Sequence, residues 1–180
     1  DAGVRLALDA LEAAREANGV QDLRHHISHL QLVDPEDYPR FEALGVVANF
    51  QALWAFPDEY IMTINLPAVG LERVQSMYPI GSLRRAGARI VGGSDWSVSS
   101  MNPLLAIETA LTRRDPTGVR PQALNPSEAV TLADMIAAYT INGAYLAHRE
   151  NQTGRLKPGY KADLVVLGAN LFDVAASEIG

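Results

Sequence analysis

The sequence predicts an α/β fold with a parallel sheet. Short apolar, β-branched runs alternate with amphipathic helical patterns, and helix start and stop signals bound the runs. The composition is that of an ordinary globular chain, with 48% hydrophobic and 20% charged residues over 180 positions.

The first element is a helix. Val4, Leu8 and Leu11 recur at helical spacing with Ala7 and Ala14 beside them, while Arg5, Glu12, Arg15 and Glu16 take the opposite side. Asn18-Gly19 supplies a left-handed stop. The next start signal is Asp34-Pro35-Glu36-Asp37, an N-cap followed by proline and acids in the first turn. The stretch between, Leu23–Val33, is therefore read as the first strand. The helix opened by Asp34 carries Phe41 and Leu44 and ends at Gly45, and Val46–Phe50 reads as a short buried strand.

A long apolar and aromatic loop follows, with Trp54, Phe56, Tyr60 and Met62, before a helix near Leu71–Tyr78. Another helix, Ser82–Ala86, closes at Gly87. A third strand then begins at Ala88 and ends in Gly92-Gly93-Ser94-Asp95. Asn102-Pro103 caps a further helix, Asp115–Gly118 is a turn, and helix covers much of 127–148 from starts at Asn125-Pro126 and Thr131. Beyond residue 150 the pattern changes to a turn-rich hairpin, Gly154–Gly159, and a β-branched strand, Asp163–Leu167. Residues 1–150 and 151–180 are accordingly expected to form two units.

Charge and composition exclude several functions. Fifteen basic residues against 21 acidic ones give a net charge of −6, so there is no basic field for nucleic acid. With no cysteine, thiolate metal sites, disulfides and thiol nucleophiles are ruled out, and any metal must be held by His, Asp or Glu. No apolar run approaches the ~20 residues of a membrane span. The expected address is cytoplasmic and the expected partner a small molecule.

Three of the four histidines fall within five residues, at His25, His26 and His29. On a helix, His25 and His29 would share a face and chelate one ion. On a strand they lie ~13 Å apart at 3.3 Å per residue, so at most one is a ligand, and His29 is nearest the carboxyl end. The alternative for a strand histidine is a hydrogen-bonded core position. Asp95 ends an apolar strand where parallel α/β folds gather ligands, and an aspartate there can hold a cation and act as general base. Its alternative is a capping turn, and the alternative for Gly92-Gly93-Ser94 is a phosphate cradle of backbone N–H groups. Gln51, Trp54 and Trp96 are candidates to line a substrate pocket, with core packing or an oligomer contact as the alternative. His148 lies near a helix C-terminus.

Taken together, several segments resemble the amidohydrolase superfamily, in particular the amidohydrolase-3 type that includes N-substituted formamide deformylases. They are Leu23–Pro35 with its three histidines, Gly45-Val46-Val47-Ala48, Gly93-Ser94-Asp95-Trp96, Ala138-Tyr139-Thr140, and Gly154–Leu167. The resemblance implies a metal-dependent (β/α)₈ TIM barrel, of which the three strands would be six to eight, followed by the start of a small β-sandwich. It implies His29 as a metal ligand and Asp95 as both metal ligand and proton carrier, with a divalent metal, Zn²⁺ first. The reaction implied is hydrolysis of a non-peptide C–N bond in an amide, formamide or cyclic amide.

The sequence departs from the family pattern in two ways. Ser28 stands where relatives commonly carry Glu, and the family's strand-one His-x-His pair, acidic or bridging ligand and strand-five histidine have no counterpart here. Asp1 resembles the last residue of the family's His-x-x-Gly-Asp motif. The expectation is therefore a C-terminal portion with little activity alone. The competing reading is a non-catalytic α/β module that self-associates, as a homo-oligomer, through exposed sheet edges.

Overall fold

The structure, a computed structural model, describes residues 1–180. Helix α1 (Ala2–Asn18) leads to strand β1 (His26–Ser28), a 3₁₀ turn at Pro35–Asp37, helix α2 (Tyr38–Leu44) and strand β2 (Val47–Phe50). Helices α3 (Leu66–Gln75) and α4 (Ile80–Arg85) connect β2 to strand β3 (Ile90–Gly92). Helices α5 (Pro103–Thr112), α6 (Leu132–Tyr139) and α7 (Ile141–Leu146) complete the regular structure, apart from short 3₁₀ and π turns.

The three strands form one parallel sheet in the order β1-β2-β3. Ser28 is level with Asn49, and Asn49 with Val91, so the carboxyl ends of all three strands open at the same edge. Residues of β2 are among the most buried in the chain, with Ala48 at 0% and Phe50 at 1% exposure, as expected for a central parallel strand. Helix α2 packs on β2, while α4, α6 and α7 pack on β3.

The caps read from the sequence form. Asp34 accepts from the Glu36 N–H, Asn102 from the Leu104 N–H, and Thr131 and Asp134 close a reciprocal capping box. Gly45 ends α2 at φ 68°. Helices α1 and α2 are joined by charge: Asp37, 2% exposed, accepts from Arg5 at 2.9 Å and from Arg40 at 3.0 Å. At its amino end, β1 is tied down by Arg24. That guanidinium pairs with Asp22 and Glu150, donates to the Tyr145 carbonyl and lies 3.9 Å over the Tyr145 ring.

Several expected boundaries need correction. The first strand is three residues, not Leu23–Val33, because Arg24 (φ 51°), His29 (φ 74°) and Leu30 (φ 49°) leave the extended region on both sides. The helix expected near Leu71–Tyr78 begins at Leu66, kinks at Gly70 and stops at Gln75. The helix expected over 127–148 is broken at Thr140 (φ −125°, ψ −95°) into α6 and α7. The strand Asp163–Leu167 does not form. A strand requires a laterally bonded neighbour, and no strand of this sheet pairs with it, which leaves Val165 and Val166 at 79% and 96% exposure.

Candidate active site

His29 follows β1 directly, Gln51 follows β2, and Asp95 lies three residues past β3. All three stand at the carboxyl edge of the sheet, where ligands gather in parallel α/β folds. The strand spacing sets the ends of β1 and β3 about 10 Å apart across β2.

The orientation of His29 is fixed by hydrogen bonds. Its backbone N–H meets the Asn49 carbonyl at 3.0 Å and Gln51 Oε1 at 3.1 Å, and its Nδ1 lies 2.8 Å from the same Oε1. A backbone N–H can only donate, so the amide atom facing it is the oxygen. An oxygen already accepting can only accept again, so Nδ1 carries the proton. The lone pair is thereby left on Nε2, the arrangement that a metal-ligating histidine requires. The ring is also stacked on Trp54, with centroids 5.5 Å apart and planes 15° apart.

The hydrogen-bond chain continues along β2. Gln51 Nε2 donates to Asn49 Oδ1 at 3.3 Å, which turns Asn49 Nδ2 toward His26 Nδ1, also at 3.3 Å. His26 therefore accepts at Nδ1, the opposite tautomer from His29. Asn49 escaped the sequence reading, although an amide within the apolar run Val46–Phe50 was a visible signal.

Gly92, which ends β3, and Gly93 after it have packing reasons. A Cβ on Gly92 would stand 2.4 Å from the ring carbons Cε2 and Cζ of Tyr139, and one on Gly93 would stand 3.0 Å from Gln51 Nε2 and 3.1 Å from Asn49 Oδ1. These close approaches account for both glycines without a phosphate. Burial pushes the Tyr139 hydroxyl up to about 12.

Asp95 is exposed and adopts φ 50°. Its carbonyl accepts from the Val98 N–H at 2.8 Å, and its carboxylate forms no hydrogen bond or ion pair. Gln51 is 4% exposed and bonded to His29 and Asn49, Trp54 is half-buried, and Trp96 is 66% exposed. The structure thus brings His29, Gln51 and Trp54 into contact, and sets Asp95 and Trp96 on a separate loop at the same edge. His25 is exposed just before β1, and His148 follows α7 with its N–H on the Tyr145 carbonyl.

In kind, the donors fit a divalent cation: an imidazole with its second nitrogen anchored, and an unpaired carboxylate. In number they are two, and no group of three or more His, Asp or Glu side chains converges anywhere in the chain.

The whole chain, residues 1–180, matches the Amidohydrolase family. The chain belongs to that family. Among relatives of this amidohydrolase chain, Protein LONG AFTER FAR-RED 3 of Arabidopsis thaliana is 35% identical over 177 residues, covering 97% of the chain and 29% of that protein. N-substituted formamide deformylase of Arthrobacter pascens is 28% identical over 178 residues, covering 98% of the chain and 31% of its own length. The amidohydrolase chain therefore spans about a third of these relatives. A crystal structure of an uncharacterized metal-dependent hydrolase from Pyrococcus horikoshii OT3 superposes over 100% of the chain and 34% of its own, with a TM-score of 0.79 at 24% identity, a likeness of fold. No helix is long and apolar enough to cross a membrane.

Proposed function

We propose that this chain supplies strands six to eight of a (β/α)₈ barrel in a metal-dependent amidohydrolase that hydrolyses a non-peptide C–N bond of an amide, formamide or cyclic amide. In this reading residues 1–150 belong to the barrel and 151–180 begin a β-sandwich. The exposed Val165 and Val166 are then surface awaiting a neighbouring strand. The observation that carries the reading is His29: its Nδ1 is held by a buried amide, so that Nε2 offers a lone pair at the carboxyl edge of a parallel sheet.

His29 and Asp95 would hold the cation, Zn²⁺ being the choice for a nitrogen and carboxylate donor set. When bound, the cation supplies Lewis acidity, polarising the substrate carbonyl and acidifying water. Gln51 fixes the His29 tautomer and Trp54 fixes its ring plane. The unpaired Asp95 carboxylate accepts a proton from water and returns it to the departing nitrogen. Since a catalytic zinc site takes three protein ligands and an open position, the remaining donors belong to other parts of the intact protein.

Release of amine from a panel of N-substituted amides by the metal-loaded intact protein tests this. Asp95→Asn should lower kcat by about 10²–10⁴-fold, and His29→Gln should lower metal content before it lowers anything else. The 180 residues alone with added Zn²⁺ should turn nothing over; robust turnover that disappears in Asp95→Ala would overturn the assignment of the chain as a partial site.

A further inference from the structure

Beside His29 the chain forms a cavity of about 460 Å³ to which all three strand-end loops contribute. Gln31 comes from the loop after β1, Trp54 from the loop after β2 and Val98 from the loop carrying Asp95, while Ile64 and Tyr78 also line this solvent-open cavity. Two-thirds of its lining residues, 8 of 12, are hydrophobic. Trp54 is common to both places: it stacks on the His29 ring and walls the cavity.

From this geometry we infer that the cavity is the specificity pocket of the candidate active site and receives an uncharged aryl or arylalkyl substituent of an N-substituted amide. The inference rests on the hydrolase reading for its connection to a reaction. Size and chemistry carry the rest. An apolar cavity of roughly 150 Å³ accepts benzene, so about three times that volume accommodates a ring with its linker. Trp54 and Tyr78 offer aromatic surface for such a ring.

The polar groups select further. Gln31 Nε2 donates to the Tyr78 hydroxyl at 2.9 Å, which leaves the Tyr78 proton, on a side chain only 2% exposed, for an acceptor on the ligand. Asp58 also lines the cavity, with one carboxylate oxygen accepting from the Ile61 N–H at 2.7 Å. Its charge disfavours a substituent bearing a carboxylate.

The test reads binding without turnover. In a Trp96→Phe background the emission comes from Trp54 alone, because the sequence has two tryptophans. Titration of the metal-free chain with N-phenethylacetamide should shift that emission saturably, whereas N-methylacetamide and the para-carboxylate of the phenethyl compound should bind about tenfold more weakly or less well still. Ile64→Phe with Val98→Phe, at positions 57% and 73% exposed and so outside the packed core, should fill the cavity and weaken N-phenethylacetamide about tenfold, with an unchanged melting curve as the check on folding. Equal binding of all three amides, no emission shift, or unaltered affinity in the double variant overturns the pocket. Binding as described, without amine release by the metal-loaded intact protein, overturns the hydrolase reading and leaves the pocket in place.

Discussion

The side-chain oxygen of Gln51 lies 3.1 Å from the backbone nitrogen of His29 and 2.8 Å from that residue's Nδ1, so one amide grips the histidine at two points. Gln51→Leu keeps approximate size and removes the acceptor. Nitrogen-15 chemical shifts should place the His29 proton on Nδ1 in the parent chain and distribute it over both nitrogens in the variant. Metal affinity of the intact protein should fall about 10–100-fold, the usual effect of losing a partner behind a metal-bound histidine. An unchanged tautomer would show that the amide does not set it.

Gly92 admits the Tyr139 ring where a methyl group would stand 2.4 Å from it. Gly92→Ala should therefore cost about 1–3 kcal/mol of stability by overpacking. Adding Tyr139→Ala to it should cost less than the sum of the two single changes, because the clash vanishes with the ring. Chemical denaturation of the four proteins measures this coupling, and strict additivity would contradict the contact.

Tyr139 also gives a pH signature. Its folded-state value near 12 exceeds the ordinary 10.0 because burial penalises the phenolate. Below pH 10 both states hold the proton and the contribution is complete. Between pH 10 and 12 the unfolded chain ionises first, and stability declines by about 1.4 kcal/mol per pH unit. Tyr139→Phe should show a correspondingly shallower alkaline loss. Arg113, lowered to about 10 by burial, titrates with the opposite sign in both proteins and cancels from the comparison.

Arg113 is fully buried without a carboxylate partner. Its guanidinium instead donates to the carbonyls of Leu124 (2.9 Å), Tyr78 (3.1 Å) and Met77 (3.0 Å), fastening the segment behind the cavity to the end of α5. Arg113→Met would orphan the carbonyls of Leu124 and Met77, whereas that of Tyr78 keeps the Ile80 N–H at 2.8 Å, and the expected loss is about 2 kcal/mol or more. Thermal melting and hydrogen exchange around Met77–Tyr78 would register it.

How far the sequence reached differs by element. Helix starts were legible because Asp34, Asn102 and Thr131 cap with their own side chains, a signal contained within three or four residues. The limits of β1 were not, since they depend on left-handed backbone at Arg24, His29 and Leu30, which are residues that carry no glycine-like mark. Nor was the failure of Asp163–Leu167 to become a strand, because pairing is a property of the neighbour and not of the run. In the site, His29 and Asp95 stood out by residue type and position. Gln51 read as pocket lining, but its amide is spent on His29 and Asn49. Tyr78, which walls the cavity, gave no local sign because it arrives there from the far side of α3.

Gly92, the last residue of β3, and Gly93 beside it thin the sheet at its carboxyl edge. With no side chain at Gly92 or Gly93, a single thickness of backbone separates the Tyr139 ring on α6 from the amides of Asn49 and Gln51. A partition that thin transmits displacement: a change in how α6 seats on the sheet reaches the pair of amides that sets the histidine tautomers. A substitution on α6 that displaces the Tyr139 ring is therefore expected to disturb the Asn49 and Gln51 amides without altering any residue at the carboxyl edge of the sheet.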